Sequence, residues 1–236
     1  EMAAIRTARQ NRRAIYLVPQ KALASEKFET FRERYGPLGL RVVASTRDHR
    51  YFDTAIERGH FDFAVVVYEK MQQLLTRKPD LLDGVGLVVV DELQTLGDPA
   101  RGAGIEVLLT RLKLARRDLQ LVGLSAVLKN SDVLSHWLGA SFLEHHERPV
   151  ELRRGILFKG AFEYETYNTH ERGTESLVHV EEEPVWYIIM ANATRLAQQG
   201  EQSLIFLSDK NSTRQMALLA ADEFHGPPAT EAIEEL

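Results

Sequence analysis

The sequence predicts an α/β fold: a parallel β-sheet with helices covering both faces. Three observations predict it. Short, largely apolar runs recur at residues 14–18, 40–44, 63–67, 87–90 and 120–124. Segments with helical spacing separate these runs. Turn-forming or charged residues (Pro19, Asp91, Ser125) close several of them. Strands apolar on both sides and joined through helices belong to a sheet buried on both faces.

The elements follow in order. Residues 1–9 read as a helix with Met2, Ile5 and Ala8 on one side; no cap precedes it, so the chain reads as starting inside an element. Ala14-Ile15-Tyr16-Leu17-Val18 is a buried strand ended by Pro19. A helical pattern then runs through Phe28 and Phe31 to Tyr35, where Gly36-Pro37 stops it. Residues 40–44 make the second strand and 53–58 a helix; 63–67 make the third strand and 69–75 a helix. Residues 87–90 form the fourth strand, ended by Asp91-Glu92. Ile105, Leu108, Leu109 and Leu112 set one face of a helix over 101–115. The fifth strand at 120–124 leads to Ser125, and a short helix at 132–138 has Gly139 as its stop.

The texture changes near Arg148-Pro149-Val150. Residues 148–184 read as a connector holding a hairpin, after a first domain over 1–147. The α/β pattern resumes in 185–236 with a helix to about residue 199, a strand at 203–207 and a helix over 212–224. This last stretch reads as the start of a second α/β domain.

Composition narrows the function classes. The 236 residues are 44% hydrophobic and 27% charged, the balance of an ordinary globular protein. No apolar stretch nears the roughly 18 residues of a membrane span, and Glu1-Met2-Ala3-Ala4-Ile5-Arg6 lacks the basic-then-apolar start of a secretory leader. Cysteine is absent, which excludes disulfides and thiolate metal sites and fits a reducing setting, read as cytoplasmic with no membrane partner. The net charge of −5 does not advertise nucleic-acid binding, yet local basic clusters exist, such as Arg111, Lys113, Arg116 and Arg117, or Arg148, Arg153 and Arg154. His145-His146 has no matching ligand spacing for a metal. Trp137, Trp186, Phe158, Phe162, Tyr164 and Tyr167 read as packing residues rather than base-stacking platforms.

In parallel sheets ligands gather at the carboxyl ends of the strands. The functional rim is therefore residues 19–21, 68–70, 91–94 and 125–127. Its strongest signal is Asp91-Glu92. Two adjacent carboxylates at the end of a buried strand are costly unless a cation meets them. Such a pair can hold Mg²⁺ and orient a hydrolytic water, or be an acidic turn. Lys21 and Lys70, also at strand ends, read either as phosphate contacts or as exposed lysines.

Together the rim segments resemble superfamily 2 DExH-type helicases, most closely their Ski-like branch with its archaeal repair helicases. Leu17-Val18-Pro19-Gln20-Lys21-Ala22-Leu23-Ala24 resembles motif Ia, Tyr68-Glu69-Lys70 motif Ib, Asp91-Glu92-Leu93-Gln94 the DExH box, and Gly123-Leu124-Ser125-Ala126 motif III. The stretch from Leu96-Gly97-Asp98 to Arg101-Gly102, the connector Arg148-Pro149-Val150-Glu151-Leu152 and residues 204–214, similar to motif IV, follow in order. The resemblance implies two RecA-like domains and ATP with Mg²⁺ as cofactors. It implies Asp91 on the metal through water, Glu92 activating the hydrolytic water, and Gln94 beside them. It also implies Ser125 and Ala126 as coupling residues, and Pro19, Lys21, Glu69 and Lys70 against single-stranded or partly duplex nucleic acid, with DNA preferred over RNA.

Three departures qualify that implication. Gln94 stands where the branch normally has His, and it can donate and accept hydrogen bonds but not titrate near neutral pH. Val127 stands where motif III normally carries Thr. No Gly-Lys dipeptide occurs anywhere, so the phosphate-cradling loop Gly-x-x-x-x-Gly-Lys-Ser/Thr is not among these residues. By resemblance that loop would precede residue 1 and motifs V and VI would follow residue 236. The expectation is part of an ATP-dependent helicase or translocase. The alternative is a helicase-like scaffold that binds nucleic acid or a protein without catalysis.

Overall fold

The computed structural model describes residues 1–46, 52–115, 118–128, 130–179, 181 and 184–223. Arg116 and Arg117 of the expected basic cluster, Glu182 and Glu183, and Phe224 lie outside the described residues. The chain divides into two compact units, Glu1–Leu143 and Glu144–Leu236.

The first unit is built as α1 (Met2–Arg9), β1 (Arg13–Val18), α2 (Lys21–Tyr35), β2 (Val42–Ser45), α3 (Asp53–Glu57), β3 (Phe63–Val67), α4 (Tyr68–Arg77), β4 (Val85–Val90), α5 (Gly102–Ala115), β5 (Gln120–Gly123) and α6 (Ser131–Leu138). The five strands pair in the order β2-β3-β1-β4-β5, and every pairing is parallel. Central β1 aligns Leu17 with Val66 of β3 on one side and with Val90 of β4 on the other.

The pleat explains why the runs are apolar throughout. Successive residues point to opposite faces, and both faces are covered. Ile15, Leu17, Val66, Val88 and Val90 pack against Met71 and Leu74 of α4 and Leu108, Leu109 and Leu112 of α5. Ala14, Tyr16, Val18, Phe63, Val65 and Val89 pack with Ala4 of α1 and Phe28 and Phe31 of α2. Each fully buried aliphatic side chain adds roughly 1.5–3 kcal/mol of transfer free energy, and central strand positions such as Ile15, Leu17 and Val88 are completely buried.

One boundary differs in detail from the sequence expectation. Gly36-Pro37 does not stop the chain's winding; a 3₁₀ turn over Gly36–Leu38 follows α2, and Gly39, at φ 82°, ends it. Proline suits the first turn of such a helix because its missing N–H has no intrahelical acceptor there.

The second unit contains β6 (Arg153–Phe158), β7 (Ala161–Thr166), β8 (Arg172–Ser176), α7 (Val185–Gln198) and α8 (Lys210–Glu223). The expected hairpin is β6–β7, turned by Lys159-Gly160 with φ 45° and 76°, the paired positive angles of a tight hairpin turn. β8 adds a third antiparallel strand. Asn192 of α7 ties itself to the segment after β8, accepting from the Val178 amide at 2.8 Å and donating to the Val178 carbonyl at 3.0 Å. The strand expected at residues 203–207 does not form: no ladder partner meets it among the described residues, and Leu204 and Phe206 are exposed. Extended chain becomes a strand only through a neighbour's hydrogen bonds. No helix among the described residues is long and apolar enough to cross a membrane.

Candidate functional site

The carboxyl ends of β1, β3, β4 and β5 bring together the four segments singled out as the rim. The β4 ladder continues one residue past the strand, where the Asp91 amide donates to the Leu17 carbonyl at 2.9 Å. Asp91 is half-buried, and both its carboxylate oxygens are used: Oδ1 accepts from the Glu92 amide at 2.9 Å and Oδ2 from the Tyr16 hydroxyl at 2.7 Å. The Tyr68 hydroxyl donates to the Asp91 main-chain carbonyl. Burial first, and then the neighbouring Asp91, push both tyrosine hydroxyls well above the usual tyrosine range. They therefore remain protonated donors at physiological pH.

Glu92 adopts a left-handed conformation, φ 55° and ψ 46°. A non-glycine residue held there costs on the order of 1–2 kcal/mol, and such outliers gather at functional sites. Local bonds hold it. The Glu92 carbonyl accepts from the Thr95 amide at 2.9 Å and from Thr95 Oγ1 at 2.6 Å. The Leu93 amide crosses to the Leu124 carbonyl at 2.9 Å, fixing the turn against the end of β5.

Gln94 joins the acidic turn to the segment after β5. Its amide nitrogen donates to Glu92 Oε2, and its amide oxygen accepts from the Ser125 hydroxyl at 2.7 Å. This is a continuous chain, Ser125 to Gln94 to Glu92, and glutamine supplies its donor and acceptor without titrating near neutral pH as histidine does. Ala126 and Val127 lie exposed beside it, with side chains that neither donate nor accept a hydrogen bond.

A second constellation centres on Arg101, which the sequence reading had not singled out. Its guanidinium donates to the Pro19 carbonyl at 2.5 Å and to Glu69 Oε1 at 2.6 and 3.0 Å. The residue is placed by its own turn: Asp98 Oδ1 accepts from the amides of Ala100 and Arg101 at 2.8 and 3.0 Å. α5 then begins at Gly102, where a Cβ would lie 2.1 Å from the Leu96 carbonyl oxygen. Only glycine lets that loop close so tightly. Pro19, Gln20 and Leu23 share an open cleft with Glu92, Gln94 and Arg101.

The lysines part ways. Lys21 is exposed at the first turn of α2. Lys70 is not presented outward. Its ammonium lies 2.5 Å from Asp53, both side chains keep only 12–13% of their exposure, and Asp53 also accepts from Ser45 Oγ at 2.5 Å. Arg77 supports the same carboxylate at 3.7 Å. The charge read from the sequence as a phosphate contact is thus paired within the fold.

Among the described residues, the donors that reach the carboxylates of Asp91 and Glu92 are a hydroxyl and amides, none carrying full charge. Two half-buried carboxylates that only neutral donors meet keep their charge uncompensated, and such a pair fits a divalent cation.

The family model for DEAD/DEAH box helicases matches residues 1–135, more than half of the chain. The chain belongs to the DEAD/DEAH box helicase family. Its relatives include three proteins named ATP-dependent DNA helicase Hel308. That of Pyrobaculum calidifontis is 36% identical over 94% of this chain and 29% of its own length. That of Thermococcus kodakarensis is 34% identical over 95% of this chain and 18% of its own length. That of Methanocaldococcus jannaschii is 39% identical over 65% of this chain and 12% of its own length. The chain thus spans less than a third of these relatives. As a family member, its five-stranded parallel sheet with covering helices is a RecA-like α/β helicase domain.

Tyr16, Tyr68, Thr95 and Arg101 are what sequence reasoning missed as individual actors. A usable signal existed for the first: a hydroxyl inside an otherwise aliphatic strand must find a partner.

Proposed function

We propose that this chain is part of an ATP-dependent DNA helicase or translocase, with Asp91 and Glu92 serving nucleotide hydrolysis and the rim at Pro19, Lys21 and Glu69 serving a nucleic-acid strand. The observation that carries it is the hydrogen-bonded chain Ser125–Gln94–Glu92 beside Asp91. An acidic turn without function has no need of a left-handed glutamate tied to a neighbouring strand's loop. The names of the relatives, DNA helicases, support DNA over RNA.

In this reading Asp91 would hold the Mg²⁺ of a bound nucleotide, and that ion would supply charge neutralisation at the transferring phosphoryl group. Tyr16 fixes the Asp91 carboxylate that would hold the metal. Glu92 accepts a proton from, and orients, the attacking water. Gln94 holds Glu92 and reports its position to Ser125, so that Ser125 and Ala126 lie on the path from hydrolysis to movement. Lys21 contacts phosphate oxygens of the strand; Lys70 serves the fold through Asp53 instead. Residues 148–184 connect to a second motor domain that begins at 185–236.

The test is Glu92→Gln in the full-length protein. Hydrolysis should fall by about 10²–10⁴-fold, the span of a lost general base, while Mg²⁺–ATP affinity, read with a fluorescent nucleotide, stays within a factor of a few. Near-parental turnover would reduce Asp91-Glu92 to an acidic turn and leave the non-catalytic scaffold.

A further inference from the structure

Three consecutive residues open α4, and each reaches a different part of the rim. Tyr68, almost wholly buried, donates its hydroxyl to the Asp91 carbonyl. Glu69 takes the Arg101 guanidinium, which also holds the Pro19 carbonyl at 2.5 Å. Lys70 is locked on Asp53 of α3. One helical turn thus touches the acidic turn after β4, the segment after β1, and α3.

From this we infer that the first turn of α4 is a coupling junction: a strand bound on the rim acts on the acidic pair through Arg101, Glu69 and the Tyr68–Asp91 bond. This rests on the reading above, in which the rim holds the phosphodiester backbone of a single strand. The physical argument is continuity. Backbone within one helical turn is stiff, so Glu69 cannot shift without carrying Tyr68. Arg101 ties Glu69 to Pro19, where the strand is held. At the other end the Tyr68 hydroxyl grips main chain, not a swinging side chain, so displacement passes to the Asp91 backbone while Tyr16 restrains its carboxylate from a different strand. Energetic coupling travels through packed side chains and hydrogen bonds joined in this way. A hydroxyl bonded only to satisfy burial would make the same contact but would not link two ligands, and that difference is measurable.

The experiment compares full-length protein with Tyr68→Phe and Arg101→Gln, measuring ATP hydrolysis without nucleic acid and at saturating single-stranded DNA. The readout is the ratio of stimulated to unstimulated turnover, with melting temperature recorded alongside. Both variants should lower that ratio at least about fivefold, the lower end of measured coupling between sites. Saturation removes any effect on strand affinity. A parental protein whose hydrolysis DNA does not stimulate would defeat the functional reading itself. With stimulation present in the parent, an unchanged ratio in both variants overturns the junction. So does an equal fall in both rates, because that marks Tyr68 and Arg101 as supports of the acidic pair alone. Should Tyr68→Phe fail to fold, Arg101→Gln decides by the same ratio, since that side chain is about 30% exposed and its loss leaves the core intact.

Discussion

The two units of the chain are written in much the same alphabet and end in different states. Leu17 in the first and Leu204 in the second each sit in a short apolar run that follows a helix. Leu17 is completely buried, with a parallel strand on either side. Leu204 is 80% exposed, in a run without a ladder among the described residues. The first unit encloses two hydrophobic clusters, one on each sheet face. In the second, Met190 is the buried hydrophobic residue among the described residues, accompanied by Thr166 and Asn192, whose polar groups are hydrogen-bonded. An apolar run is therefore only an offer. It becomes a strand where neighbours accept its backbone bonds and helices cover its side chains.

The sharpest way to break that contrast is a core deletion. Leu108→Ala, on the α5 face that covers the sheet, should cost about 2–5 kcal/mol in chemical denaturation of the chain, because Leu108 is completely buried. The antiparallel sheet should keep its own signature while the first unit weakens. A loss under about 1 kcal/mol would mean that the first unit is not the close-packed body described.

The next test separates two lysines that look alike in sequence. Among the described residues, Lys70→Ala leaves Asp53 largely buried with Arg77, at 3.7 Å, as the cation to balance it. Removing one partner of a buried pair costs about 3–5 kcal/mol, and the remaining arginine favours the low end, about 3 kcal/mol. Salt dependence of DNA binding by the full-length protein should stay parental. Lys21→Ala should do the reverse: little change in stability, and a salt slope flatter by about one counterion. If Lys70→Ala flattens the slope and spares stability, the ion pair yields to phosphate in solution.

These pairs show what was legible in the sequence. The parallel sheet was, since apolar periodicity and turn residues report directly on burial, and each strand of the first unit formed within a residue or two of its expected place. The acidic pair, Gln94 and Ser125 could be named in advance, and the fold sets them within hydrogen-bond reach of one another. What stayed hidden was partnership across distance. Nothing near Lys70 in sequence announces Asp53, which arrives from another helix. Arg101 reaches Pro19 and Glu69 only because Gly102 lets its loop close. The Tyr68 hydroxyl lies against Asp91 because β3 and β4 flank the same strand, β1, and the side chain reaches across its end. Local pattern encodes elements; long-range polar contacts are set by how those elements stack.

The smallest expected effect tests the same lesson from the other side. Phe206→Ser removes the largest apolar side chain of the run that failed to become a strand. Phe206 is 84% exposed, so little transfer free energy is at stake. No ladder bond involves it among the described residues, so the backbone loses nothing either. Substitutions at such positions usually fall within about 0.5 kcal/mol, and denaturation of the chain should register no more than that. Replacing Phe206 with leucine, smaller but still apolar, should be equally silent. A loss above about 1 kcal/mol would say that this run finds a partner in solution and becomes the strand its sequence proposes, and the contrast between the two units would then shrink to one of degree.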